Sequence, residues 1–212
     1  MKSRNLLLAL AAPFCILTLE GCIPAAVVGV GVGAVVSVVD RRTTGAQVDD
    51  EGIELRVSNR INERFGDRAH INVTSYNRVV MLTGEAFDVG MRDELEKIAA
   101  GIQGVRGVTN EIRVAPISAY SGRANDSAIT GKVKARFVDA NKFNAVHVKV
   151  VTEASVVYLL GIVTEKEGND AAELARTTSG VRKVVKVFEY CQPTDDACRP
   201  REQPKSGDTK AR

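Results

Sequence analysis

From Asp49 onward the chain is written twice. Asp50-x-x-Ile53-x-x-x-Val57-x-x-Arg60-Ile61 returns 76 residues later as Asp126-x-x-Ile129-x-x-x-Val133-x-x-Arg136-Phe137. Ile71-Asn72-Val73 returns as Val148-Lys149-Val150, and Val80-Met81-Leu82-Thr83-Gly84 as Val157-Tyr158-Leu159-Leu160-Gly161, both at an offset of 77. Gly104-Val105-Arg106-Gly107-Val108 matches Gly180-Val181-Arg182-Lys183-Val184. One single-residue shift covers both copies, so the chain must use one unit of about 65 residues twice.

Periodicity gives the elements of each unit. Ile53, Val57 and Ile61 recur at helical spacing, as do Ile129, Val133 and Phe137. Asp50 and Asp126 stand where N-cap side chains would satisfy free backbone N–H groups. Two alternating runs follow in each unit, Ile71 to Ser75 with Val79 to Gly84, and Val146 to Thr152 with Val156 to Gly161. Each pair reads as a hairpin, with Gly84 and Gly161 as turn residues at its end. A second helix carries Met91, Leu95, Ile98 and Ile102 in the first unit and Ala171, Leu174, Ala175 and Thr178 in the second. Val108 to Val114 and Val184 to Tyr190 are the closing strands. The predicted class is α+β: two tandem αββαβ modules, each a three-stranded sheet packed on two helices.

Composition excludes several functions. There is no Trp, aromatics make up 5%, and only His70 and His147 are histidines. A base-stacking surface is therefore not expected, and a net charge of +3 does not point to nucleic acid. The two histidines fall at matching strand starts, one residue out of register, and read as strand-end polar residues rather than bases. Ser75, Ser118, Ser121 and Ser127 lack a nucleophile motif, and a small αββαβ unit offers little room for a carboxylate cleft. Gly29-x-Gly31-x-Gly33 is not the dinucleotide fingerprint, because the spacing and the preceding strand are wrong. The expectation is no catalysis, no cofactor and no metal site.

The N-terminus has its own logic. Lys2 and Arg4 precede a 14-residue apolar run, Leu6 to Leu19, broken by Pro13. That is short of the roughly 20 residues a spanning helix needs, and it reads as a signal peptide, residues 1–21. Leu19, Gly21 and Cys22 resemble a bacterial lipobox, with Glu20 departing from the small or apolar residue usual there. The resemblance implies that Cys22 carries acyl chains, and Ile23 in place of Asp favours the outer membrane. Residues 22–48 are then a lipidated Cys and a Gly/Ala/Val tether, with Thr43 to Val48 a polar linker. In an exported chain Cys191 and Cys198 remain as an even pair, read as a structural disulfide.

Residues 49–190, with the "INV…VxLxG" hairpin and Gly104-Val105-Arg106-Gly107-Val108-Thr109-Asn110, resemble the BON domain, a small αββαβ module of bacterial periplasmic proteins. The second copy keeps Gly180-Val181 and has Lys186 where Asn110 falls. With its lipobox and tether, the whole is similar to the dual BON-domain outer-membrane lipoproteins. The expected domains are 49–117 and 124–192, followed by a disordered basic tail, 193–212, in which bases outnumber acids five to two from Arg199. The resemblance implies a lipid-anchored protein on the periplasmic face of the outer membrane that binds anionic phospholipid, preserves envelope integrity and can gather at division sites.

Charge selects the binding face. Asp49 to Arg64 holds five acids and three bases, whereas Asp126 to Lys142 holds two acids and four bases. Basic residues near an anionic membrane are attracted by about 1 kcal/mol each. The first helix of the second module is therefore the expected lipid contact, through Lys132, Lys134 and Arg136, with Ala128 and Val138 as outward apolar residues. The alternative is a membrane-tethered adaptor whose partners are envelope proteins.

Overall fold

The computed structural model describes residues 40–118 and 120–199, without the side chains of Tyr120 and Ser121. The expected signal peptide, Cys22, most of the tether and the tail from residue 200 lie outside the described residues. Each module runs helix, strand, strand, helix, strand. The first holds α1 (Thr44–Phe65), β1 (His70–Tyr76), β2 (Val79–Ala86), α2 (Val89–Ala100) and β3 (Gly107–Val114). The second holds α3 (Tyr120–Ala140), β4 (Lys149–Glu153), β5 (Val156–Val163), α4 (Glu165–Arg176) and β6 (Lys183–Tyr190). The fold is the α+β pair of αββαβ units expected from the repeat.

The middle strand of each sheet is the second one. β2 pairs antiparallel with β1 and parallel with β3, and β5 does the same with β4 and β6. Alternate residues of these strands face opposite ways. Val80, Leu82 and Ala86 face α1 and α2, where they meet Ile53, Val57, Ile61, Leu95 and Ala99. Val157, Leu159 and Val163 meet Ile129, Val133, Phe137, Ala171 and Ala175. The small alanines of α4 leave room that Phe137 and Phe143 fill edge to face, their centroids 5.1 Å apart.

The other face of each sheet is also covered, because the modules pack sheet against sheet. Tyr76 and Met81 of the first meet Tyr158, Leu160, Ile162, Cys191 and Cys198 of the second. Polar bridges edge this seam: Lys149 Nζ to Glu54 Oε1 at 2.8 Å, and Asn77 Nδ2 to Glu189 at 3.0 and 3.1 Å. Burial on both faces explains why β2 and β5 read as nearly continuous apolar runs.

Five sequence expectations change. Helix α1 starts at Thr44, capped by Thr43 Oγ1 on Ala46 N, so Thr44 to Val48 is helix and not linker. Asp50 and Asp126 sit inside their helices as buried residues rather than N-caps. Gly84 and Gly161 are strand residues: a Cβ on either would strike the carbonyl oxygen of His70 or His147. The two histidines thus occupy equivalent places, 77 residues apart and in register. Residues 193–199, assigned to the disordered tail, fold into a loop with a 3₁₀ turn at Asp196–Cys198.

Candidate functional site

The lipid-facing residues expected from sequence all lie on α3, whose buried stripe is Asp126, Ile129, Val133 and Phe137. At about 100° per residue, Ala128, Lys132 and Arg136 form one row and Lys134 and Val138 another. Lys132 and Lys134 flank the outward face, about 160° apart around the helix, with exposed Gly131 and Ala135 between them. Val138 is 67% exposed. The result is a face of small residues edged by lysines, with exposed Val138 and Asp139 at its C-terminal end.

Among the described residues, no ion pair engages Lys132 or Lys134. The matching positions of α1, at the offset of 76, are Arg56 and Ser58: Arg56 Nη2 donates to Gln103 O at 3.4 Å, and Ser58 carries no charge. Arg136 turns aside. Its Nη1 donates to Leu174 O at 2.8 Å and Thr178 Oγ1 at 3.0 Å, which ties α3 to the C-terminal end of α4. The structure therefore brings Ala128, Lys132, Lys134 and Val138 to one open face and gives Arg136 a role inside the module.

Cys191 and Cys198 are joined by a disulfide, with Cα atoms 5.7 Å apart. The loop it closes receives the chain segment before α1. Arg41 is buried, with Nε on Cys198 O at 2.7 Å, Nη1 on Ile162 O at 2.9 Å, and both Nη atoms on the Glu167 carboxylate at 2.7 and 3.0 Å. Arg42 reaches the other way, to Asp50 at 2.9 Å, with its guanidinium 4.1 Å from the Tyr76 ring centroid. Sequence reasoning missed this strap, for which the Arg41-Arg42 pair was the only signal.

Burial opposes the Glu167 charge, but the bonds from Arg41 and Thr164 outweigh it and bring its pKa from 4.5 down to about 2. A carboxyl group more acidic in the folded chain favours folding when ionised. Its contribution is complete above about pH 4.5 and is lost as pH falls toward 2. The urea midpoint should drop across that window. The drop should shrink in Glu167→Gln; an identical pH profile in the two proteins would disprove the assignment.

Asp50 and Asp126 hold the hairpins. Each hairpin turns on two non-glycine residues of positive φ, Asn77 and Arg78 at 49° and 65°, Ala154 and Ser155 at 49° and 62°. Such two-residue turns suit glycine or asparagine. Here a carboxylate grips both N–H groups: Asp50 accepts from Asn77 and Arg78 at 2.8 and 2.7 Å, and Asp126 from Ala154 and Ser155 at 2.8 Å each.

Two αββαβ units, each with a carboxylate-held hairpin and closed sheet against sheet, define a tandem small-module α+β fold. The BON domain family model matches residues 49–116 and 125–192. The chain belongs to the BON-domain family. It is 39% identical over 174 residues to outer membrane lipoprotein DolP of Haemophilus influenzae, covering 81% of this chain and 90% of that one. It is 37% identical over 156 residues to a 21 kDa hemolysin of Actinobacillus pleuropneumoniae, covering 73% and 80%. Osmotically-inducible protein Y of Escherichia coli matches at 31% over 144 residues, covering 66% and 72%. No helix among the described residues is long and apolar enough to cross a membrane.

Proposed function

We propose that this chain is a lipid-anchored outer-membrane protein, held by an acylated Cys22, that supports envelope integrity and binds anionic phospholipid through α3. The observation that supports the reading is a pair of lysines, Lys132 and Lys134, on an open face of α3 and without an ion pair among the described residues, where the matching positions of α1 are Arg56, turned to Gln103 O, and the uncharged Ser58. Kinship with an outer membrane lipoprotein supports the location. The small residues between the lysines allow the helix axis to approach the headgroups closely. Gathering at division sites is part of the same reading.

Vesicle flotation tests it. The chain with Cys22→Ser should float with vesicles containing phosphatidylglycerol and stay behind with phosphatidylcholine alone. Lys132→Gln with Lys134→Gln should weaken binding roughly tenfold, the equivalent of about 1.4 kcal/mol, and steepen its loss with salt no further. Equal flotation with both vesicle types, or no effect of the double substitution, would defeat the proposal.

The adaptor reading rests on a different observation. Phe87 is 81% exposed, and Val89, Val114 and Ile117 are exposed near it at the end of β2 and β3. An exposed apolar group of this kind suits a protein partner. Loss of co-purifying envelope protein in Phe87→Ser, with flotation intact, would favour that reading.

A further inference from the structure

The seam between modules is not the same at its two ends. At one end, Ile162 packs with Tyr76 and the disulfide. The repeat offset of 77 places Glu85 at the Ile162 position of the first module. Glu85 is fully buried, and it faces Glu153 of the second module, which is also buried. Buried carboxylates are costly unless something compensates their charge. Module two shows that this position accepts a plain apolar residue, so the carboxylate is not a requirement of the fold.

His70 completes the group. Its Nδ1 lies 3.1 Å from Glu85 Oε2, and one ligand atom from each of His70, Glu85 and Glu153 lies within 4.8 Å of the others. The remaining carboxylate oxygens are held from outside. Arg113 Nη2 donates to Glu85 Oε1, and Asn72 Nδ2 donates to Glu153 Oε2 at 2.6 Å. This is the arrangement of outer groups that orient metal ligands. Thr83 Oγ1 is fully buried on the same face of β2, across from Asn72, and has no hydrogen-bond partner among the described residues. Ser118, whose N–H is 3.4 Å from Glu85 Oε2, likewise has an enclosed, unpartnered Oγ. A cleft of about 400 Å³ lined by His70, Asn72 and Glu153 gives access from solvent.

We propose that His70, Glu85 and Glu153 form a divalent metal site of the zinc class that clasps the two modules together. One imidazole nitrogen with two carboxylate oxygens suits zinc better than magnesium, which prefers oxygen ligands alone. Metal–ligand bonds of about 2.0–2.1 Å bring tetrahedral ligands to roughly 3.3 Å from each other. The three side chains therefore draw inward when the ion enters, and because Glu153 belongs to the other module, the ion tightens the seam. Two carboxylates against Arg113 leave one net negative charge, which favours entry of a cation. The site is independent of the lipid-binding reading.

The experiment uses the full chain in detergent, stripped with a chelator and titrated with zinc sulfate by calorimetry and thermal melting. The expected result is one saturable zinc per chain, a higher Tm, and no response to magnesium. His70→Ala and Glu153→Gln should each weaken binding at least tenfold, while Glu173→Gln, an exposed acid elsewhere, leaves it unchanged. With only two histidines, ring ¹⁵N shifts identify the ligand: His70 should move on zinc addition and His147 should not. Absence of stoichiometric binding, unchanged affinity in folded Glu153→Gln, or a shift confined to His147 would overturn the proposal.

Discussion

Asp50→Ala is expected to cost about 4 kcal/mol of folding stability, and Asp126→Ala about half as much. Both remove the acceptor of two hairpin N–H groups. Asp50 does more: it also accepts from Ser75 Oγ at 2.7 Å and from Arg42 Nη1 at 2.9 Å. Its loss therefore strands a hydroxyl as well as a turn, and leaves the Arg42 guanidinium to Asp40 alone, 2.8 Å away. Residues of positive φ other than glycine are strained, and with the carboxylate gone both turn N–H groups lose their acceptor, leaving the bonds of Asn77 Nδ2 to Glu189 and of Arg106 N to Arg78 O to hold the turn. Urea denaturation of both variants measures the difference. Equal costs would mean that the Arg42 and Ser75 bonds add nothing to the turn.

Arg41→Ala is the second large effect, about 3–5 kcal/mol, because it leaves the Glu167 charge without its main partner in a half-buried place. Arg41→Lys should recover only a minor part, since an ammonium cannot reach two carbonyls and both oxygens of a carboxylate in one plane. Trypsin should also cut after Arg42 much faster in the alanine variant, because the segment no longer lies against the second module. Unchanged stability together with unchanged cleavage would show that the strap is decorative.

The repeat made the element order and both helix-facing cores readable, since Ile53, Val57 and Ile61 announce a helix and their echoes announce it again. The seam was not readable from alternation. Met81, Tyr158 and Leu160 sit in strands whose residues are apolar on both sides, and period 2 cannot say what covers the second face. Asp50 was misread because its surroundings looked like a helix start; its bonding partners, Asn77 and Arg78, lie more than twenty residues downstream. Arg41 was beyond reach for the same reason on a larger scale, its partner Glu167 being 126 residues away. The residues proposed to face lipid rest on a charge difference between two aligned helices. That Arg136 leaves this group depends on α4 ending beside it, which spacing alone does not reveal.

The Asp40–Arg42 strap has a mechanical consequence. Tension arriving along the polypeptide from its N-terminal side reaches Arg41 before it reaches α1. The force is handed at once to the second module, through Cys198, Ile162 and Glu167, and to the first, through Arg42 and Asp50. A pull is shared by the pair instead of peeling one unit away from the other, so the tandem behaves under traction as a single bead on its leash.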